Sequence, residues 1–419
     1  MGLVRTSLLN GIAVGVKVLS ALVINKVLAV YLGPSGYGLV GQLQNAVSVV
    51  SGVAGGLIST GVTKATAEHF DDQQRQRSIW SSAFQIVTIA SLLTAIALLI
   101  FRTELSQLLF NGTQVPSVLV ILVFCLPAIA ANNLLLAMVN GKKEVGIFVA
   151  TNIFSTITSV VLIWVLSRSY GLSGAMLAIV LTPVFSILPI AILLARAPWF
   201  RVGFLLAPRL NKPVARELLG FAAMGLTTAL AAPVSYLVIR GSVSDAFGPA
   251  AAGFWQASWK ISELYLLLIT STLALYYLPR LAEIRSATDL REEIKKVYAI
   301  VMPIVIIGAV TIYVLRDFIV TTFFTAEFAP MRDLFAWQLV GDVLKVGSWV
   351  LAYLMLARSM VKTFIVTEIL FSLSLVLVSQ ALLPEFGVRG VSVSYAINYF
   401  AYWIVVAFLV RSHFVTARL

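Results

Sequence analysis

One cysteine, Cys125, and two histidines, His69 and His413, stand in a chain of 419 residues. A lone cysteine excludes any intramolecular disulfide. The two histidines fall in segments expected on the cytoplasmic side, and neither has neighbours at metal-ligand spacing. Charge is scarce: Asp, Glu, Lys and Arg make up 11% of the chain, where soluble domains carry about 25%. The acidic sign is the scarcer one, with 18 Asp plus Glu against 30 Lys plus Arg and a net charge of +12. There is no Gly-rich phosphate loop and no nucleophile motif. The outer connections hold about fifteen residues at most, too short for the catalytic domain of a membrane glycosyltransferase or ligase. These absences argue against an enzyme. No cofactor and no nucleic-acid partner are expected.

What the chain has is hydrophobic length. Hydrophobic residues make up 60% of it, and windows of about 20 apolar residues predict twelve spans. Their cores begin near Leu8, Leu39, Ile79, Val118, Ile147, Leu172, Leu218, Ala251, Val297, Leu334, Phe364 and Val388. The first window lacks the short apolar core and cleavage site of a signal peptide, so it is read as a retained span. The fold class expected is an all-α integral membrane protein. Six spans precede a basic connector at residues 196–213 and six follow it. An even number per half gives both halves one orientation and suits a parallel repeat. The expected lobes are residues 1–195 and 214–419.

Orientation follows from the basic residues. With the N-terminus cytoplasmic, 20 of the 30 Lys and Arg fall in inside segments, among them Arg5, Arg209 and Arg418. Six fall outside, Arg240 included, and Lys17, Lys26, Lys260 and Lys345 remain within spans. That asymmetry predicts two cytoplasmic termini.

Ionisable groups inside spans are costly and usually line a pathway or cavity. The chain is organised around Ala326–Trp349, a short polar stretch leading into the tenth span. With Gln338 at zero, Asp342, Lys345 and Trp349 fall at about +40°, −20° and +20° on a helical wheel. The eighth span repeats the pattern with the charges exchanged: Gln256, Lys260 and Glu263, with Trp255 and Trp259 alongside. The plain alternative is an Asp342–Lys345 pair that only locks two helices together. For Trp255 and Trp337, near the outer ends, the plain reading is interfacial anchoring.

Lys17 and Lys26 point to opposite sides of a straight first span. Lys17, which shares its face with Asn10, is read as cavity-facing, and Lys26 as able to snorkel. In the second span Gln44, Ser48, Ser51, Gly55 and Ser59 form a stripe read as helix packing. Pro127, Pro183, Pro189, Pro233 and Pro303 lie within spans and mark kinks. Asp289-Leu-Arg-Glu292 is read as a capping-box start to the helix that feeds the ninth span. Glu368 is placed near the inner surface, and the last two spans otherwise carry little chemistry.

The excess of intramembrane lysine suits an anion, because cations out of bulk water hold phosphate strongly. Tryptophans beside the charges offer apolar and polar faces to sugar rings or a lipid chain.

The block Met331–Gly347, MRDLFAWQLVGDVLKVG, resembles the tenth-span region of the polysaccharide flippase branch of the multidrug/oligosaccharidyl-lipid/polysaccharide exporter superfamily, which includes the enterobacterial common antigen and O-antigen flippases. Lys26–Leu39 and Gly61–Lys64 are similar to segments of the same family. The resemblance implies two six-helix lobes around a central cavity in the bacterial inner membrane. It implies transfer of an undecaprenyl-diphosphate-linked oligosaccharide, a lipid III or O-antigen repeat unit, from the cytoplasmic to the periplasmic leaflet. Alternating access and coupling to an ion gradient are part of the same expectation, with a glycan polymerase and a chain-length regulator as candidate partners.

On that footing Lys17, Lys26, Lys260 and Lys345 are candidate diphosphate ligands, and Asp342 and Glu263 candidate ion-coupling groups. Trp259, Trp349, Gln256 and Gln338 are candidate glycan or lipid contacts. No metal site is expected. Drug-exporting relatives depend on acidic cavity groups, and the lysines of the first span count against a cationic drug. A proton-coupled exporter of small molecules on the same fold and a scaffold for glycan assembly remain the alternatives.

Overall fold

The computed structural model describes residues 3–110, 116–205, 211–358 and 360–411. Arg209, His413 and Arg418 lie outside the described residues, as do the side chains of Arg5 and Asn10. Contacts divide the chain into two compact units: Met1–Leu32 with Leu39–Leu237, and Gly33–Gly38 with Val238–Leu419. Among the described residues all regular structure is helical.

The first unit holds α1 (Leu3–Val53) apart from its Gly33–Gly38 corner, α2 (Ser59–Glu68), α3 (Gln73–Ile100), α4 (Arg102–Phe110), α5 (Pro116–Gly141), α6 (Val145–Phe185), α7 (Ile187–Ala195) and most of α8 (Lys212–Phe247). Its core at one end gathers Ile79, Trp80, Ala130, Leu134, Val214 and Leu218. Trp80 is buried there and donates its indole N–H to Thr66 Oγ1 at 3.0 Å. Lys142, just beyond α5, donates to Phe70 O at 3.2 Å and to Gln76 Oε1 at 3.3 Å. Partial burial pulls its ammonium below the ordinary lysine value.

The second unit holds the rest of α8, α9 (Pro249–Thr272), α10 (Leu278–Glu283), α11 (Ala287–Val314), α12 (Arg316–Phe323), α13 (Phe335–Ala357), α14 (Val361–Phe386) and α15 (Arg389–Val410). A wide turn at Leu273–Tyr277 and a tight one at Ala326–Leu334 link its helices. Its core runs along α9, α11, α13 and α15 through Leu273, Tyr277, Val305, Val346, Val350 and Val406. The corner Gly33–Gly38 belongs to this unit because Gly38 meets the start of α9 backbone to backbone. A Cβ on Gly38 would stand 2.9 Å from Gly253 N.

Among the described residues nine helices are long and apolar enough to cross a membrane. Two of these, Gly11–Val53 and Val145–Ala195, run to 43 and 51 residues. Each is broken by a glycine with positive φ, Gly33 at 63° and Gly171 at 55°, a conformation that a side chain disfavours.

Several expectations need correction. The small-residue stripe of the second span is not one helical face, because the helix ends at Val53 and Gly55 turns the chain at φ 153°. Gly55 and Ser59 therefore leave the line of Gln44, Ser48 and Ser51. Arg240 is not in an outer loop; it lies inside α8 and is buried. The cap of α11 is Ser286, whose hydroxyl accepts from Asp289 N at 3.5 Å, one turn ahead of the Asp289–Glu292 box. Of the prolines, Pro127, Pro233 and Pro303 sit within continuous helices, and the sixth span breaks at Ser186, between Pro183 and Pro189. The polar connections are themselves short helices, α2, α4, α10 and α12.

Candidate functional site

Two stripes of the second unit carry the chemistry. α9 starts abruptly because Gly248 takes φ 84° and Pro249 follows at the first helical turn. That start sets the register of Trp255, Gln256, Trp259, Lys260 and Glu263. α13 emerges from the tight turn and packs against α15 through two glycines. A Cβ at Gly341 would collide with the Tyr395 ring, and one at Gly347 would stand 2.9 Å from Trp403. Small residues let helices approach this closely inside a membrane, so the glycines bring the aromatic face of α15 onto α13.

That approach builds the surroundings of Asp342 and Lys345. Asp342 is fully buried, and Tyr395 donates its hydroxyl to Oδ1 at 2.9 Å. The hydroxyls of Ser262 and Tyr265 stand beside the same carboxylate. Lys345 is also buried. Its ammonium lies 4.9 Å from the ring centres of Trp259 and Trp349, 5.1 Å from Tyr399 and 5.4 Å from Tyr395. Among the described residues no direct Asp342–Lys345 ion pair forms. The lysine charge is held by ring faces, each worth about 2 kcal/mol when the cation is desolvated. Asp342, Glu263 and Glu368 act on it electrostatically.

The α9 stripe behaves differently. Lys260 pairs directly with Glu263 at 2.7 Å, and the side chains keep 29% and 48% of their surface. Trp259 donates its indole N–H to the same carboxylate at 3.1 Å. Trp259 thus touches Glu263 through its nitrogen and Lys345 through its ring. Further along, Arg240 is buried, donates to Gln256 Oε1 and lies 5.4 Å from the Trp255 ring.

The structure brings Gln256, Trp259, Lys260, Glu263, Asp342, Lys345 and Trp349 into one connected set within the second unit. Gln338 lies one turn from Asp342 and is fully buried, with neither amide atom hydrogen-bonded among the described residues. Such a group costs about 1–3 kcal/mol unless something else satisfies it. Lys17 and Lys26 belong to the first unit, Lys17 exposed and Lys26 partly buried.

Arg240, Ser262, Tyr265, Tyr395 and Tyr399 are groups that sequence reasoning missed. Arg240 was masked by its assignment to a loop. The i, i+4 pair Tyr395 and Tyr399 was visible, yet the last two spans were read as nearly free of chemistry. That reading is corrected: α15 supplies two sides of the cage, and Glu368 of α14 interacts with Lys345.

Comparison with known proteins adds the context. A family model described as polysaccharide biosynthesis protein matches residues 27–333. The chain is 32% identical over 403 residues to the lipid III flippase of Escherichia coli (strain K12), covering 96% of this chain and 97% of that one. The same figures hold for the lipid III flippase of Shigella flexneri. Among solved structures, an inward-facing multidrug resistance MATE family transporter superposes with a TM-score of 0.80 at 16% identity, covering 95% of this chain and 94% of its own. The lipid II flippase MurJ in its inward closed conformation gives 0.73 at 14% identity, covering 98% and 89%. These likenesses establish the fold.

Proposed function

The chain belongs to the polysaccharide biosynthesis protein family, and from that premise we propose that it is a flippase for an undecaprenyl-diphosphate-linked oligosaccharide. The observation that carries the reading is the whole-length match to lipid III flippases. The match continues through α13, beyond the last residue of the family model. The cargo would be lipid III or an O-antigen repeat unit, moved from the cytoplasmic to the periplasmic leaflet of the inner membrane by alternating access. It would be a secondary transporter and not an enzyme.

Topology enters the same reading. Counting α1 and the long helix Val145–Ala195 as two crossings each, and adding the charged α9, turns the nine candidate spans into twelve. Six would fall in residues 1–195 and six in residues 214–419, with residues 196–213 as a cytoplasmic connector and both termini cytoplasmic. Moving Arg240 into a span strengthens the charge asymmetry that supports this orientation.

Lys17, Lys26, Lys260 and Lys345 would attract the diphosphate as point charges. Lys260 is the readiest of the second unit, because it keeps part of its surface beside Glu263. Trp259, Trp349, Gln256 and Gln338 would contact glycan or lipid. Protonation of Asp342 or Glu263 would weaken its hold on the neighbouring lysine and bias one arrangement of the unit over the other. A glycan polymerase and a chain-length regulator are candidate partners.

The test is transfer in reconstituted vesicles, with a fluorescent undecaprenyl-diphosphate glycan and with and without a proton gradient. Gradient-dependent movement that is lost on Lys260→Ala or Lys345→Ala at normal protein levels is expected. Movement that ignores the gradient overturns the coupling. Proton-driven efflux of small molecules without lipid movement overturns the substrate.

A further inference from the structure

Asp342 is buried beyond the reach of bulk solvent, so any proton it exchanges has to come through the protein. The polar groups around it are arranged in a particular way. On α13, Gln338 sits one turn ahead of Asp342, and the atoms Oε1 and Nε2 of the amide and Oδ2 of the carboxylate lack a hydrogen-bond partner among the described residues. On α9, Ser258, Ser262 and Tyr265 share one face, three and four residues apart. Their hydroxyls are equally without a partner there. Ser262 and Tyr265 stand beside Asp342 without closing a full hydrogen bond on it.

Ser262 stands beside Asp342, and the Trp259 ring is 4.9 Å from Lys345 Nζ. Ser258 lies one turn before Ser262 on α9, and Gln338 one turn before Asp342 on α13. Ser258 and Gln338 are fully buried.

One carboxylate, one amide and two hydroxyls make a set that can both donate and accept. Water is the ligand that does the same, and a buried water typically makes about three hydrogen bonds to groups of this kind. A metal cation would also take oxygen ligands, but Lys345 already acts on this carboxylate, and a second positive charge at that depth is repelled. We propose that Gln338, Asp342, Ser262 and Tyr265 form an internal water site, through which Asp342 exchanges its proton. The inference rests on the coupling role proposed above for Asp342. The groups acting on that carboxylate are Lys345 on α13, Ser262 and Tyr265 on α9, and Tyr395 on α15. Glu263 and Glu368 act on Lys345.

Hydroxyl-radical footprinting of the full chain in nanodiscs reads internal water without any transport step. Tyr265 should label several-fold more than Tyr277, whose hydroxyl donates to Val350 O at 3.0 Å. Gln338→Leu and, as a milder variant, Ser262→Ala should each cut the Tyr265 label several-fold and leave Tyr277 unchanged. The infrared band of protonated Asp342, identified by its loss in Asp342→Asn, should deuterate more slowly in Gln338→Leu. A Tyr265 label unaffected by both variants overturns the water site, and an unchanged deuteration rate overturns its role in proton exchange. A rise in melting temperature with Na⁺ at constant ionic strength, absent in Asp342→Asn, overturns water in favour of a cation. Loss of lipid transport in the vesicle assay with these readouts intact refutes the flippase reading and upholds the site.

Discussion

Lys260–Glu263 and Asp342–Lys345 have the same three-residue spacing, lie on helices of one unit, and end in opposite states. The first closes to 2.7 Å and stays partly exposed. The second remains open, with the acid bonded by the Tyr395 hydroxyl and the base held by four ring faces. Spacing makes a pair available; the neighbours decide whether it forms. On α9, Glu263 takes the Lys260 ammonium on one carboxylate oxygen and the Trp259 N–H on the other. α15 offers Asp342 a hydroxyl and Lys345 two ring faces, because Gly341 lets Tyr395 come close.

The largest effect should follow from removing Lys345. Lys345→Met leaves the buried Asp342 carboxylate without its cation, a loss of the order of 3–5 kcal/mol for a buried charge. A clear fall in melting temperature in detergent is expected, together with loss of lipid transfer. A melting point equal to wild type would make the cage dispensable. Gly341→Ala comes next. It drives a methyl into the Tyr395 ring, and over-packing costs about 1–3 kcal/mol, so thermal unfolding should again come earlier.

Tyr395→Phe sharpens the comparison, because it keeps the ring near Lys345 and removes only the hydroxyl bonded to Asp342. A hydrogen bond to a charged group is worth about 1.5–3 kcal/mol. The pH profile of transfer should shift, and an unchanged profile would mean that this bond does not tune the acid. The smallest stability change belongs to Lys260→Ala, at most about 1 kcal/mol for a partly exposed pair. Lipid transfer, by contrast, should drop sharply. A large fall in melting temperature would show that the Lys260 pair is structural and erase the distinction between the two.

Much of the site was legible in the chain. Lys260, Glu263, Asp342 and Lys345 stand out because a charge in an apolar helix is conspicuous and its face follows from the 3.6-residue period. Arg240 escaped because it was counted in a loop, although it lies inside α8. Tyr395 and Tyr399 escaped because a tyrosine in an apolar span reads as filler until its hydroxyl or ring has a partner. The stripe through Gly55 and Ser59 was over-read, since a wheel assumes that the helix continues.

The sequence by itself determined the apolar helices, the charge asymmetry and the membership of the two polar stripes. These depend on composition and local period, which each segment carries alone. Only the tertiary structure decided which charges pair, that Lys345 is surrounded by rings, and that Ser262 and Tyr265 stand beside Asp342. Those outcomes depend on how closely α9, α13 and α15 approach. That distance is set by glycines whose contacts lie far along the chain: Gly341 and Tyr395 meet only when two helices have packed.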